Sequence, residues 1–451
     1  MKQKKLREIN ENTPLMTLAG PMFIEMLLSI FLNNIDTLML SHYSELAVGA
    51  VGNANQIMSL LIMLFNIVAT STSVVAAQYL GAKKQDQMNK IYTLALMVNA
   101  FGGLAFSGVL LIAKGAILRL LKVPHEMVAD ANLYLTIVGG FLFLHACFCV
   151  MMQILRCNGR TKPGMYISLL INLVNIGGNY CFLYGPLKHL ELGVKGVAIS
   201  TVTARVVAVV LAFILFYHYK IGKISVRYIK PFPWDMLVKM FKISIPAAGE
   251  NLAYSLYQMV LLAFINTMGN DSVNAKVYCS TLIAFAMVFS NASASATQII
   301  VGHLVGAQKE EAAYKRVFAS LKLSIPITIG IAMLNWLVSP YTLRLFTQNE
   351  NIIRLGAMIM FADIFIEFGR CMNLTLVGSL KAAGDYLAPL IIGLITMWGL
   401  GVTVGYGLGV VVALGVGGVF FGTATDECVR GFILMYRWYK RKWIGKSLVE
   451  R

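Results

Sequence analysis

Twelve apolar runs recur between residue 15 and residue 436 of this 451-residue chain, and they restrict its possible folds more than any other feature. A spanning helix needs about 20 predominantly apolar residues. In lipid, only segments that satisfy their own backbone hydrogen bonds are stable. The runs lie near 15–40, 54–79, 91–113, 132–155, 164–184, 194–219, 241–267, 276–305, 316–338, 356–379, 387–408 and 411–436. The last two are separated by little more than a turn around Gly405, Gly407 and Gly409. Composition agrees: 58% of residues are hydrophobic and 13% charged, against about 25% charged in a soluble domain. A chain so poor in charge cannot clothe a water-facing surface, which excludes a soluble enzyme and a disordered chain. The net charge of +17 would suggest nucleic acid in a soluble protein. Here the basic residues sit in short segments between apolar runs, as in a polytopic membrane protein.

Those basic residues also set the orientation. With the N-terminus inside, 27 of the 38 Lys and Arg fall in inside segments and eight in outside segments. Arg205, Arg370 and Arg430 lie within spans. The bias places both ends in the cytoplasm and makes the number of spans even. The start, MKQKKLREINENTPL, has no short apolar core followed by a cleavage site, and reads as a retained cytoplasmic tail.

An internal repeat then divides the chain. At an offset of 225, Pro21 meets Pro246, Glu25 meets Glu250, Gly81-Ala82 meets Gly306-Ala307, Lys84 meets Lys309, Lys90 meets Lys315 and Gly159 meets Gly384. Unrelated apolar helices match by chance at Leu, Val and Ala, but rarely at Pro, Glu and a Gly-Ala turn as well. Two six-helix halves follow, and because six is even both halves enter from the same side as a parallel repeat. The expected organisation is a tail at 1–13, an N-lobe at 14–219, a cytoplasmic linker at 220–240 with Pro231 and Pro233, a C-lobe at 241–436 and a basic tail at 437–451. The expected fold class is an all-α integral membrane protein, twelve transmembrane helices in two pseudo-symmetric six-helix bundles. Two such bundles enclose a cavity between them, where transporters of this kind hold substrate near the bilayer midplane.

Ionisable and polar residues inside spans are the main clue to function. The first span carries Glu25, Asn33, Asn34 and Asp36. At 100° per residue Glu25 and Asp36 lie about 20° apart on one face, with Asn33 one turn before Asp36. Asp36 reads either as a carboxylate that binds a proton or sodium ion, or as an acid at the outer interface. In the fifth span Asn172, Asn175 and Asn179 line one stripe, and the sixth span adds Thr201. Carboxylate, carboxamide and hydroxyl oxygens suit a small hard cation. Interhelical hydrogen-bond glue is the competing reading.

The rest of the inventory carries less. The seven cysteines lie in or beside apolar runs without a CxxC and read as free thiols. The six histidines are scattered without metal spacing, which argues against a membrane-embedded metalloenzyme. The 24 Met and 24 Phe are mostly core or lipid-facing, though a Met-rich wall suits varied apolar substrates.

The chain resembles the multidrug and toxic compound extrusion (MATE) transporters over nearly its whole length. The resemblance rests on PMFIEMLLSIFLNNID from Pro21 to Asp36, QYLGA from Gln78, ILRCNGRTKP from Ile154, the Pro246 helix, LVGA, and LKAAGD from Leu380 in place of the family's LRGAGD. It is most similar to the DinF-like branch. The resemblance implies efflux of small amphipathic or cationic organic compounds, driven by inward proton or sodium flow. It implies an N-lobe cation site at Asp36, Asn175, Asn179 and Thr201, with any sodium at Asp36. It implies no cofactor besides the coupling ion, no nucleic acid, no catalytic residues, and a monomer in the bacterial inner membrane. Some members carry Asp where Asn179 stands, so a second proton carrier there is disfavoured. A lipid-linked precursor flippase of the wider superfamily is the alternative. The balanced or acidic intramembrane charges favour the exporter.

The second half departs from the first. Opposite Asp36 stands Leu261. The half has instead Glu250, Tyr254 and Tyr257 along one stripe, and Asp363, Glu367 and Arg370 along another. Glu367 and Arg370 are three apart and should pair within their helix. With Glu25, Asn33 and Asn172, the residues Glu250, Tyr254, Tyr257, Glu367 and Arg370 are cavity or coupling candidates, or internally neutralised structural pairs. An Arg at 370 argues against a NorM-type sodium site in this half. Arg205 and the cluster Asp426, Glu427, Arg430 read as interfacial charges or as closing contacts at the cytoplasmic ends.

Overall fold

The computed structural model describes residues 9–449, apart from the side chains of Leu32, Asn33, Asn34 and Asp36. The described chain forms twelve long helical segments: α1 Leu15–Tyr43, α2 Glu45–Gly81, α3 Gln85–Leu120, α4 His125–Cys157, α5 Thr161–Leu183, α6 Gly193–His218, α7 Trp234–Asn266, α8 Asn270–Gly306, α9 Glu310–Leu343, α10 Glu350–Ala382, α11 Leu387–Val411 and α12 Gly415–Tyr439. α4 carries a π turn at Leu135–Gly139 and bends by 48° between its two limbs, a known cause of sharp kinks. α11 contains two further π turns. Some helices outrun the apolar stretches because polar flanking turns continue the helix, as from Glu310 to Lys315 in α9.

Seven of these helices are each long and apolar enough to cross a membrane, and α4 joins them when its limbs count as one span. The remaining four are α1, α7, α10 and α12. They carry Glu25, Glu250, the Asp363–Arg370 stripe and the Asp426–Arg430 cluster. These four helices thus carry charged side chains within their length. Each must be satisfied by protein partners.

The chain divides into two compact units. The first comprises 24–76 and 84–241 of the described residues; the second comprises 9–23, 77–83 and 242–449. In the first unit, Ala47, Ala50 and Ala54 of α2 pack with Leu110 and Leu118 of α3, Ala131 and Val138 of α4, and Val197 and Ala198 of α6. The linker docks on α3, where Asn89 Oδ1 accepts the Lys223 N–H at 2.7 Å. In the second unit α10 packs against α8, α9 and α12, around a core that includes Tyr257, Leu261, Ile359, Met360 and Val419.

Backbone detail repeats along with the sequence. Left-handed residues terminate corresponding helices: Lys83 (φ 56°) and Gln308 (φ 59°) follow α2 and α8, while Gly159 (φ 73°) and Gly384 (φ 92°) follow α4 and α10. Each pair is 225 residues apart. Such residues close a helix by satisfying its last carbonyls.

The segments 77–83 and 303–307 cross within the second unit at a pair of repeat-related glycines. A Cβ on Gly81 would lie 2.0 Å from the His303 carbonyl oxygen, and one on Gly306 would lie 1.9 Å from the Gln78 carbonyl oxygen. Gln78 ties the C-terminal segment down beside this crossing. Its Nε2 donates to Ala382 O at 2.6 Å, and its Oε1 accepts the Leu448 N–H at 2.8 Å and the Ser447 hydroxyl at 3.2 Å. Asp385 holds Arg437 at 2.6 Å and Lys446 at 2.8 Å. The basic tail is therefore packed rather than free over its described part.

Candidate functional site

In the first unit a polar cluster forms where α5 meets α6. Asn175 and Asn179 are buried one turn apart on α5. Asn175 Nδ2 donates to Thr201 Oγ1 at 3.2 Å, while Ser200 Oγ donates to the Asn175 carbonyl at 2.8 Å. The close approach depends on Gly178, where a Cβ would sit 2.2 Å from Ser200 Oγ. Asn172 shares the stripe but turns away, donating to the Ser168 carbonyl of its own helix at 2.7 Å. Of the proposed cation ligands, Asn175 and Thr201 are in contact, and Asn179 stands one turn further along α5. The side chains of Asp36 and Asn33 lie outside the described residues.

Glu25, also in the first unit, is buried and accepts two hydrogen bonds at Oε1: from Arg156 Nη2 at 2.6 Å and from Ser168 Oγ at 2.9 Å. Its repeat mate Glu250 accepts from Lys381 Nζ at 2.6 Å in the second unit. Arg156 and Lys381 are themselves 225 apart, so the ion pair is duplicated with the fold. These two cations were missed as partners. Following the repeat three positions back from Gly159 and Gly384 would have found them.

The second unit contains a larger buried charge network on α10 and α12. Glu367 pairs with Arg370, as their spacing predicts. Ser290 of α8 donates to Glu367 Oε2 at 3.3 Å. Arg370 Nε lies 3.9 Å from Glu427, which also accepts from Asn373 Nδ2 at 2.8 Å. Arg430 pairs with Asp426 and lies 3.7 Å from Glu427. Asp426, Glu427 and Arg430 are 0%, 3% and 3% exposed. The interfacial reading of this cluster is corrected: α12 turns it inward onto α10. Arg205 of the first unit is likewise engaged, donating to the Val138 carbonyl in the π turn of α4 at 3.2 Å. Tyr257 is fully buried and donates to Thr423 Oγ1 at 3.4 Å, with Tyr254 beside it at 6.2 Å between ring centroids.

Paired six-helix repeats with charged and carboxamide side chains buried in their interiors define a multi-pass membrane transporter. Comparison with known proteins gives the family. The MatE family profile matches residues 21–181 and 246–407, and both matches begin at the repeat-related prolines. The chain belongs to the MatE family of transporters; it is not an enzyme. The uncharacterized transporter YisQ of Bacillus subtilis is 35% identical over 96% of this chain and 95% of its own length. The multidrug resistance protein NorM of Vibrio cholerae is 26% identical over 88% of this chain and 87% of its own. A solved outward-facing multidrug resistance MATE family transporter of the MOP superfamily superposes with a TM-score of 0.88 at 20% identity, covering 98% of both chains. The architecture is that of this fold: twelve transmembrane helices in two six-helix repeats.

Proposed function

We propose that this protein exports small amphipathic or cationic organic compounds, including drugs, in exchange for inward flow of protons or sodium ions. Efflux of drugs is what the names of several relatives describe. The observation that supports a cation site is the contact of Asn175 with Thr201 at 3.2 Å, one turn from the buried Asn179. Carboxamide and hydroxyl groups buried in lipid are costly, and their oxygens complete a ligand set for a cation held by Asp36. Loading of Asp36 repacks the first six helices and loosens the substrate. The two lobes then rock to release the cation inside. Coupling arises because cation and substrate differ in affinity between the two states. The protein resides in the bacterial inner membrane as a monomer, with both termini cytoplasmic.

The test is substrate efflux from proteoliposomes under an imposed pH gradient or an imposed sodium gradient, applied separately. One gradient drives efflux in the native protein. Asp36→Asn inserts and folds normally but loses gradient-driven efflux. Normal efflux by a well-expressed Asp36→Asn protein refutes the assignment.

A further inference from the structure

Four carboxyl groups and two guanidinium groups share the buried interior of the second unit: Asp363, Glu367, Asp426 and Glu427 against Arg370 and Arg430. Two acids are left without a countercharge. Three of the four acids are engaged, Glu367 by Arg370 and Ser290, Asp426 by Arg430, and Glu427 by Asn373 and the two arginines. Asp363 is different. It is 0% exposed, and neither of its side-chain oxygens has a hydrogen-bond partner. The charged and titratable groups that act on it are Glu367 and Arg370 on its own helix and Cys279 on α8; Tyr254 on α7 and Glu427 on α12 act on Arg370 in turn. α9 presents the hydroxyl of Thr328 to Ser290. Among the described residues Asp363 makes no ion pair, and no group of three His, Cys, Asp or Glu is arranged to hold a metal ion.

We propose that Asp363 is a proton-carrying site of the C-terminal half, loaded and emptied during transport in addition to the Asp36 site. An ionised carboxylate buried without hydrogen bonds costs several kcal/mol. A neutral carboxylic acid fits the same place. A proton requires only the carboxyl oxygen it bonds. Glu367, one turn along α10, links Asp363 to Arg370 and through it to α12. Release of the proton from Asp363 adds a negative charge beside Glu367, and that repulsion is relieved when Arg370 shifts from Glu367 toward Asp363. Proton loading in this half thereby sets how α10 and α12 are tied. The assignment rests on reading the chain as a cation-driven exporter.

Infrared spectroscopy on full-length protein carrying carboxyl-13C aspartate tests it without requiring a variant to fold. The protein is titrated in the Asp36→Asn background, so that the two sites report separately. A protonated aspartate carbonyl band is expected at neutral pH, and it should disappear in Asp36→Asn/Asp363→Asn. If the double variant does not fold, Asp363→Glu in the Asp36→Asn background substitutes for it, because glutamate does not carry the aspartate label and the 13C-shifted band is lost. In otherwise native protein, Asp363→Asn should keep its melting temperature, since the amide mimics the neutral acid, and should move one proton fewer per substrate. Absence of a protonated aspartate band in the Asp36→Asn background, or a band unchanged by substitution at 363, overturns the proposal. Normal gradient-driven efflux by Asp36→Asn would instead refute the first site alone.

Discussion

The duplicated ion pair gives a quantitative test of how this fold stabilises charge inside its helices. Arg156→Ala removes the Arg156 hydrogen bond, 2.6 Å long, from a carboxylate whose side chain is 11% exposed. Only the Ser168 hydroxyl, 2.9 Å away, then remains on Glu25 Oε1. Breaking a buried ion pair by removing one partner costs about 3–5 kcal/mol. The surviving hydrogen bond to a charged group, typically about 1.5–3 kcal/mol, places the expected loss at the lower end, about 3 kcal/mol. Arg156→Lys should cost no more than about 1 kcal/mol, the worth of an ordinary hydrogen bond. The second unit already shows why: at the equivalent place Lys381 reaches Glu250 at 2.6 Å. Removing both charges, as in Glu25→Gln/Arg156→Met, should cost less than Arg156→Ala alone, since no buried carboxylate is left without a cation. Denaturant titration of purified protein in mixed micelles, followed by tryptophan fluorescence, gives the three differences. If Arg156→Ala is as stable as Arg156→Lys, the pair contributes nothing and the reasoning fails.

Two further perturbations address other elements. Gly178→Val inserts a side chain where even a Cβ would lie 2.2 Å from Ser200 Oγ; it should force α5 away from α6, cost about 1–3 kcal/mol through overpacking, and abolish gradient-driven efflux, whereas full efflux by the variant would separate the Asn175–Thr201 contact from coupling. Gln78→Leu removes three hydrogen bonds that hold Ala382, Ser447 and Leu448, each worth about 1 kcal/mol; trypsin should then cut faster after Lys446, and an unchanged cleavage rate would show that the segment is anchored elsewhere.

How much of this could be read from the chain alone depends on the distance over which each contact acts. The spans and the repeat were legible because apolar length and a constant offset are local signals, anchored by Pro21 and Pro246, which few unrelated helices share. The Glu367–Arg370 pair was legible for the same reason, being three residues apart on one helix. The Asn stripe was legible only as a stripe. Spacing puts Asn172, Asn175 and Asn179 on one face, but Asn172 is satisfied by the carbonyl four residues earlier in its own helix, which no spacing rule distinguishes from an outward reach. The α10–α12 network was not legible. Arg370 and Glu427 are 57 residues apart, and a cluster of charges near the end of an apolar run looks interfacial until the helix packed over it is known.

The last helix of each half shows where the duplicated scaffold diverges. Between α6 and α12 the offset falls from 225 to 222. At the new offset GVKGVAISTVT of α6 aligns with GVGGVFFGTAT of α12. The alignment is structural as well: Gly193 (φ 46°) and Gly415 (φ 63°) begin the two helices in the same left-handed conformation. In this register Thr201 corresponds to Thr423, and both hydroxyls take part in polar contacts within the helix packing, with Asn175 and with Tyr257. Arg205, by contrast, corresponds to Glu427, so the same helix position carries opposite charge in the two halves. Asp36 corresponds to Leu261, which is 4% exposed and packed in the apolar core of the second unit. A carboxylate at that position would be buried among apolar side chains without a partner, and the acids of the second half stand on α10 and α12 instead. Duplication therefore preserved the helix ends and the hydroxyl contacts, which are matters of backbone geometry, while the charges were rearranged.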